Sequence, residues 1–197
     1  IKTFGLEYAI LACENRELIG LTIIDLARSR GEDGLTTLFD LIIEYRDEIR
    51  IARRIWEEDV REVIKHPLSM ISTDSSALDR LIGEQAPPHP RSFGTYPRVL
   101  GRYVREWGVL RLEEAIRKMT SFPAQRIGLK DRGMLKEGFW ADIVIFDPMR
   151  VLDRATFMEP MQFPDGIEYV LINGEVVVRR GKPTGALAGK VLRHSAA

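Results

Sequence analysis

The sequence predicts an α/β fold on three observations. Strand and helix signals alternate over residues 9–76, the texture turns from helical to β at Gly133, and Asn173-Gly174 separates two β-rich runs. The alternation is the rhythm of parallel βα units. Asn-Gly satisfies the two positive-φ positions of a type I′ turn, so Tyr169–Val178 is expected to form a hairpin. The chain accordingly divides into an α/β portion, 1–132, and a β-rich portion, 133–197.

Each element has its own local reason. Ala9–Cys13 is a short apolar run that reads as a strand. Thr22 can cap a helix carrying Ile23, Leu26 and Ala27, with Asp25 in the capping-box position and Gly31 as its stop. Leu35, Leu38, Phe39, Ile42 and Ile43 recur at helical spacing and predict an amphipathic helix to about Tyr45. Glu48–Ala52 alternates and suits a strand. Glu57–Lys65 has Val60, Val63 and Ile64 on one face and acidic residues in its first turn. His66-Pro67 should end it, because the residue before proline is pushed out of the helical region. Leu68–Ser72 reads as the next strand, followed by a long loop to about residue 95 that contains Pro87, Pro88 and Pro90. Helices are expected at Arg98–Trp107, around Leu112–Met119, and from Ser121 with Pro123 in the first turn. Asp142–Phe146 is apolar on both faces, the pattern of a fully covered strand.

Composition narrows the function. The 197 residues are 45% hydrophobic and 29% charged, with 29 basic and 29 acidic side chains. A net charge of zero argues against nucleic acid or an anionic membrane as the main partner, since both reward a basic excess. No run approaches the ~20 apolar residues of a membrane span. The single cysteine, Cys13, excludes an internal disulfide framework and fits a reducing compartment, so a cytoplasmic location is expected. Cys13 lies in an apolar run and reads as a buried thiol rather than a nucleophile. His66, His89 and His194 show no metal-ligand spacing with one another or with Cys13, so the chain carries no self-contained transition-metal site.

Two residues carry most of the chemistry. Asp74 follows the apolar run ending at Ser72, and α/β barrels place chemistry on carboxylates at the carboxyl ends of strands. It could bind a divalent metal and take a proton from a metal-bound water, or it could cap the turn in Ser72–Ser75. Arg91 offers a planar fork for a carboxylate, or it could staple its own loop through an ion pair. His89, set between prolines, could orient the loop, touch a ligand or stand exposed. Phe93, Tyr96, Tyr103 and Trp107 read as packing residues, and Arg50, Arg53 and Arg54 are balanced by Glu57, Glu58 and Asp59.

The run Ser72-Thr73-Asp74 followed by His89-Pro90-Arg91-Ser92-Phe93-Gly94-Thr95-Tyr96-Pro97-Arg98 and on to Glu106 resembles the N-acyl-D-amino-acid deacylases of the metal-dependent amidohydrolase superfamily. Glu58-Asp59-Val60 with His66-Pro67, Lys118-Met119-Thr120 with Pro123-Ala124, Gly138–Asp147 and Ile172–Glu175 extend the likeness over nearly the whole chain. The resemblance implies the C-terminal part of a metal-dependent hydrolase TIM-type barrel over 1–132, then part of a small β-sandwich over 133–197. It implies an amidohydrolase that cleaves the amide of N-acyl-D-amino acids with a zinc-activated water. Asp74 would be general base and metal ligand, and Arg91 would hold the substrate carboxylate.

The departures carry expectations too. The histidine and cysteine ligands of the family have no counterpart in this chain, and the family's Ser-Asp-Gly reads Ser72-Thr73-Asp74-Ser75 here. The partner expected on this reading is the missing N-terminal part of the barrel, with the remaining zinc ligands on it, and the isolated chain should be inactive. A sheet of a few barrel strands leaves an open edge and a bare apolar face. One rival is a cyclic-amide amidohydrolase of the dihydroorotase or hydantoinase type, in which Arg91 need not meet a carboxylate. Another is a non-catalytic module that has lost its metal site.

Overall fold

A computed structural model describes residues 8–12, 15–46, 49–53, 55–75 and 88–193. The N-terminal part contains β1 (Tyr8–Ala12), α1 (Ile23–Arg30), α2 (Gly34–Tyr45) and β2 (Arg50–Arg53). The Thr22 hydroxyl accepts from the Asp25 amide at 3.1 Å and donates to its carboxylate at 2.6 Å, while Gly31 closes α1 in the left-handed region at φ 69°. Ile10, Leu18, Ile23, Leu26 and Leu41 form one core.

Two expectations change here. β1 and β2 pair antiparallel, with Ile10 opposite Ile51, rather than as parallel neighbours. The two expected helices lie between them, and the chain returns along β1 in the opposite sense. α2 does form where its periodicity places it, but it buries Thr37 and Leu41 while Leu35, Phe39, Ile42 and Ile43 are exposed. The helix is apolar on two sides, and only the side holding Leu41 and the half-buried Leu38 meets this core.

The middle of the chain holds α3 (Glu57–Lys65), α4 (Arg91–Arg98), α5 (Leu112–Met119) and α6 (Ser121–Arg126). His66 leaves the helical region at ψ 132°, as its neighbour Pro67 requires. Leu68–Ser72 is not a strand. A strand exists through a ladder to a neighbour, and here the Ile71 amide donates instead to the carbonyl of Lys118 at the end of α5.

The loop expected to reach residue 95 gives way to helix at Arg91. Pro90, at φ −51°, is pre-set for a helix start. α4 continues into a π-helical segment, Val99–Glu106, directly after Pro97, which has no N–H to offer the regular helical ladder. Glycine and proline make Arg91–Arg98 a poor helix on propensity, so packing decides. Val99 and Tyr103 bury against Ile64, Leu110 and Ala115 in a second core.

The C-terminal part is a four-stranded antiparallel sheet in the order β3 (Ile143–Phe146), β4 (Ile167–Ile172), β5 (Glu175–Arg179), β6 (Lys182–Pro183). Asn173 and Gly174 both take positive φ, 52° and 87°, in the turn of the predicted hairpin. β3 is not the covered strand its composition suggests, because Val144 and Ile145 are half exposed. The sheet's approach to the helices is fixed by Val151, which is 1% exposed. Its carbonyl accepts from Arg105 at 2.7 Å and faces Gly101, while Gly166, at φ 75°, faces its amide side. Among the described residues no helix is long and apolar enough to cross a membrane.

Candidate functional site

Asp74 and Arg91 meet. The Arg91 fork spends both arms on Asp74, with Nη2 at 2.6 Å from the carboxylate Oδ2 and Nε donating to the backbone carbonyl at 3.0 Å. One residue on, Ser75 Oγ and Ser92 Oγ lie 2.7 Å apart. Two adjacent bridges therefore join positions 17 residues apart and close the base of the intervening chain. The carboxylate is 83% exposed and the guanidinium 44%. A pair so wet holds together by only about 0–1 kcal/mol, so Arg91 can exchange Asp74 for another carboxylate at little cost.

The backbone contributes as well. Asp74 takes φ 47°, in the left-handed region, and its amide faces Ser72 Oγ at 3.4 Å. Aspartate tolerates this region better than most residues. The residue in the family's glycine position, Ser75, is not among the positive-φ residues. The strand expected before Asp74 is absent, so the turn, and not a strand end, presents the carboxylate.

His89 joins the pair from the side. Its Nδ1 accepts from the Arg91 amide at 3.1 Å, and its ring meets Phe157 edge to face with centroids 5.0 Å apart. Burial, reinforced by the Arg91 charge and opposed by Asp74, holds its imidazole below the ordinary 6.5. His89 therefore orients the first turn of α4. His66 stands exposed at the end of α3, its Nδ1 accepting from the Leu68 amide at 3.3 Å, away from this cluster. Cys13 and His194 lie outside the described residues, as do the side chains of Arg50, Arg53 and Arg54.

The residues read as packing groups mostly are. Phe93 meets Phe163 at 6.0 Å and Tyr103 meets Trp107 at 5.1 Å, whereas Tyr96 is exposed. The Tyr103 hydroxyl also donates to Glu57 at 3.3 Å. An apolar cavity of about 380 Å³ lies between α3 and the π-helical segment, lined among others by Val60, Ile64, Met70, Ile71 and Val99. Neither Asp74, His89 nor Arg91 lines it, but Ser72 and Thr95, which bond to Asp74 and Arg91, do, so it adjoins the polar cluster.

Sequence reasoning missed what holds α4 in place. Asp153, 6% exposed, accepts from Arg98 Nη1 at 3.0 Å and lies 3.6 Å from Arg102 Nε. Nothing local marks Asp153 in Val151-Leu152-Asp153-Arg154. The i, i+4 arginines on the predicted helix were the available signal.

The donor set can be tested against a metal. Zinc takes four N, S or O ligands in a structural site, or three and a water in a catalytic one. Asp74 offers one accessible carboxylate, whose Oδ2 faces Arg91. Among the described residues no group of three or more His, Cys, Asp or Glu side chains could hold an ion. Asp74 thus fits as a single ligand, and these residues alone do not make a complete site.

The sequence pattern of the amidohydrolase family matches residues 18–178. A D-aminoacylase from Alcaligenes xylosoxydans xylosoxydans is 39% identical over 181 residues, covering 92% of this chain and 35% of the relative. A solved D-aminoacylase, studied for the role of its binuclear metal centre, superposes with a TM-score of 0.78 at 36% identity, over 95% of this chain and 38% of that one. An N-acyl-D-glutamate deacylase from Bordetella bronchiseptica, complexed with zinc and a phosphonate mimic of the tetrahedral intermediate, gives a TM-score of 0.70 at 35% identity, over 93% and 38%. The chain spans little more than a third of the length of these relatives.

Proposed function

The chain belongs to the amidohydrolase family, and from that premise we propose that it forms part of an enzyme hydrolysing N-acyl-D-amino acids to a carboxylate and a free D-amino acid. The observation that carries this reading is the meeting of Asp74 and Arg91 across 17 residues, one group suited to proton transfer and one to gripping a substrate carboxylate. Residues 1–132 are the C-terminal portion of the family's barrel and 133–197 a segment of its β-sandwich. The remaining barrel and metal ligands belong to the rest of the enzyme, without which these residues are inactive.

Asp74 is general base and one metal ligand, and Arg91 is the substrate-binding residue. The substrate's free carboxylate takes the Arg91 fork from Asp74, forming two parallel hydrogen bonds in place of the present pair. Asp74 is then free to accept a proton from the attacking water and return it to the departing amine nitrogen. A zinc ion held in part by Asp74 would supply Lewis-acid polarisation of the amide and ease loss of a proton from water near pH ~7. His89 keeps Arg91 in register through the Arg91 amide.

The test is zinc content and turnover of N-acetyl-D-amino acids by the complete enzyme and its Asp74→Asn variant. Zinc bound, with turnover lost in the variant, is expected. Turnover indifferent to the substitution, or the absence of bound zinc, overturns the reading.

A further inference from the structure

We infer that Lys118 is a positioning residue for Asp74, an inference that rests on the role proposed above for that carboxylate. Lys118 is 0% exposed, although lysine is almost never fully buried unless its ammonium is matched. Its Nζ donates to the backbone carbonyl of His66, to the carbonyl of Ser69 at 3.2 Å and to Ser69 Oγ at 3.0 Å. Glu114, one turn earlier on α5, stands 3.7 Å away. The backbone of the same residue takes the next link, since its carbonyl accepts from the Ile71 amide at 3.1 Å.

Side chain and main chain of Lys118 thus hold three points, His66, Ser69 and Ile71, on the segment that ends at Asp74. That segment has no strand ladder to fix it, so α5 does so, chiefly through Lys118 and also through Arg117, whose Nη2 donates to the Pro67 carbonyl at 3.0 Å. Exchanging a buried charge together with its partners for apolar residues is often neutral, whereas removing the ammonium alone leaves the Ser69 carbonyl without this donor and costs stability. What the ammonium adds is direction: a fixed path from the end of α3 to the turn at Asp74.

The decisive variant is Lys118→Met in the complete, zinc-loaded enzyme, assayed on an N-acetyl-D-amino acid. Misplacing a catalytic group by about 1 Å costs on the order of 10²-fold, so kcat should fall by about that factor. KM should stay within about twofold, because Arg91 is untouched. In the metal-free protein, amide hydrogen exchange should quicken at residues 69–74 and stay unchanged elsewhere. The His66 carbonyl keeps the Ser69 amide and hydroxyl as donors, which favours a folded variant. Should it not fold, Ser69→Ala, which removes one acceptor of Nζ, shows a smaller loss of the same kind.

Wild-type kcat in both variants overturns the inference. So does a loss of kcat matched by faster exchange throughout the protein, the mark of general destabilisation. Absence of turnover in the wild type instead defeats the deacylase reading. The exchange pattern then decides Lys118 alone: faster exchange confined to 69–74 supports it and unchanged exchange refutes it.

Discussion

Replacing Gly101 with alanine sets two effects of opposite sign against each other. On helix propensity the change should stabilise by about 1 kcal/mol. The structure argues the other way. A Cβ at Gly101 would stand 2.6 Å from the Val151 carbonyl oxygen, 2.7 Å from Leu152 Cδ1 and 3.2 Å from Leu152 Cα. Leu152 Cδ1 can rotate away, but the Val151 carbonyl is main chain and cannot retreat. Gly166 already brings its own backbone against the far side of Val151, where a Cβ would lie 2.4 Å from the Val151 amide nitrogen.

Relief therefore means moving the helix off the segment by more than half an ångström, which also stretches the 2.7 Å bond from Arg105 to the same carbonyl. Overpacking costs about 1–3 kcal/mol, and a weakened hydrogen bond to a charged group adds up to about 1.5–3 kcal/mol. Less the gain in propensity, the net loss is about 1.5–5 kcal/mol. That corresponds to a melting point roughly 3–20 °C lower for a domain of this size. Thermal unfolding of Gly101→Ala beside Gly189→Ala, whose Cβ meets nothing within 4 Å, is the assay. The control should stay within about 0.5 kcal/mol of wild type. A Gly101→Ala protein melting at or above wild type would show that propensity wins and that the close approach to Val151 does not constrain the fold.

Two further outcomes follow from the cluster around Asp74. Arg91→Lys keeps the charge but loses the planar fork, so KM for an N-acyl-D-amino acid should rise by about tenfold or more while kcat changes less; a KM unchanged in steady-state assays would remove Arg91 from substrate binding. His89 is held below its ordinary 6.5, chiefly by burial, so the unfolded chain binds its proton at a pH where the folded protein does not. Its contribution to stability is complete above about 6.5 and is lost as the pH falls through that value toward the folded one. Melting points measured across this window should fall less steeply for His89→Asn, and an undiminished slope would assign the effect to other groups.

Where local chemistry decides, the sequence was legible. Thr22 and Gly31 bound α1, Pro67 ends α3, and Asn173-Gly174 turns the hairpin, each through a backbone preference that needs no distant partner. Where a partner decides, it was not. Leu68–Ser72 has strand composition but no ladder, and α2 has two apolar sides of which one meets a core. Arg91–Arg98 is helical against its composition because Gly94 and Gly101 let the helix lie against Asp153 and Val151. Asp74 and Arg91 could be named singly from their types and neighbours, and an ion pair from Arg91 within its own loop was one of its two readings, but that Asp74 is the partner depends on a chain closure that no spacing encodes. Lys118 drew notice only within a familial motif, since the carbonyls it binds carry no mark in the residues that bear them.

The left-handed turn at Asp74 narrows what evolution can place there. A backbone at φ 47° admits glycine, asparagine and aspartate readily, and penalises glutamate, alanine and every β-branched residue. Proton transfer and metal ligation, in the proposed reaction, require a carboxylate. The two lists share one member. Drift at this position can end the chemistry through asparagine or glycine without disturbing the fold, and each of those replacements is reversible by a single return to aspartate. Alanine or glutamate there adds a backbone penalty of about 1–2 kcal/mol to the loss of the chemistry, so this second route costs the fold as well as the activity.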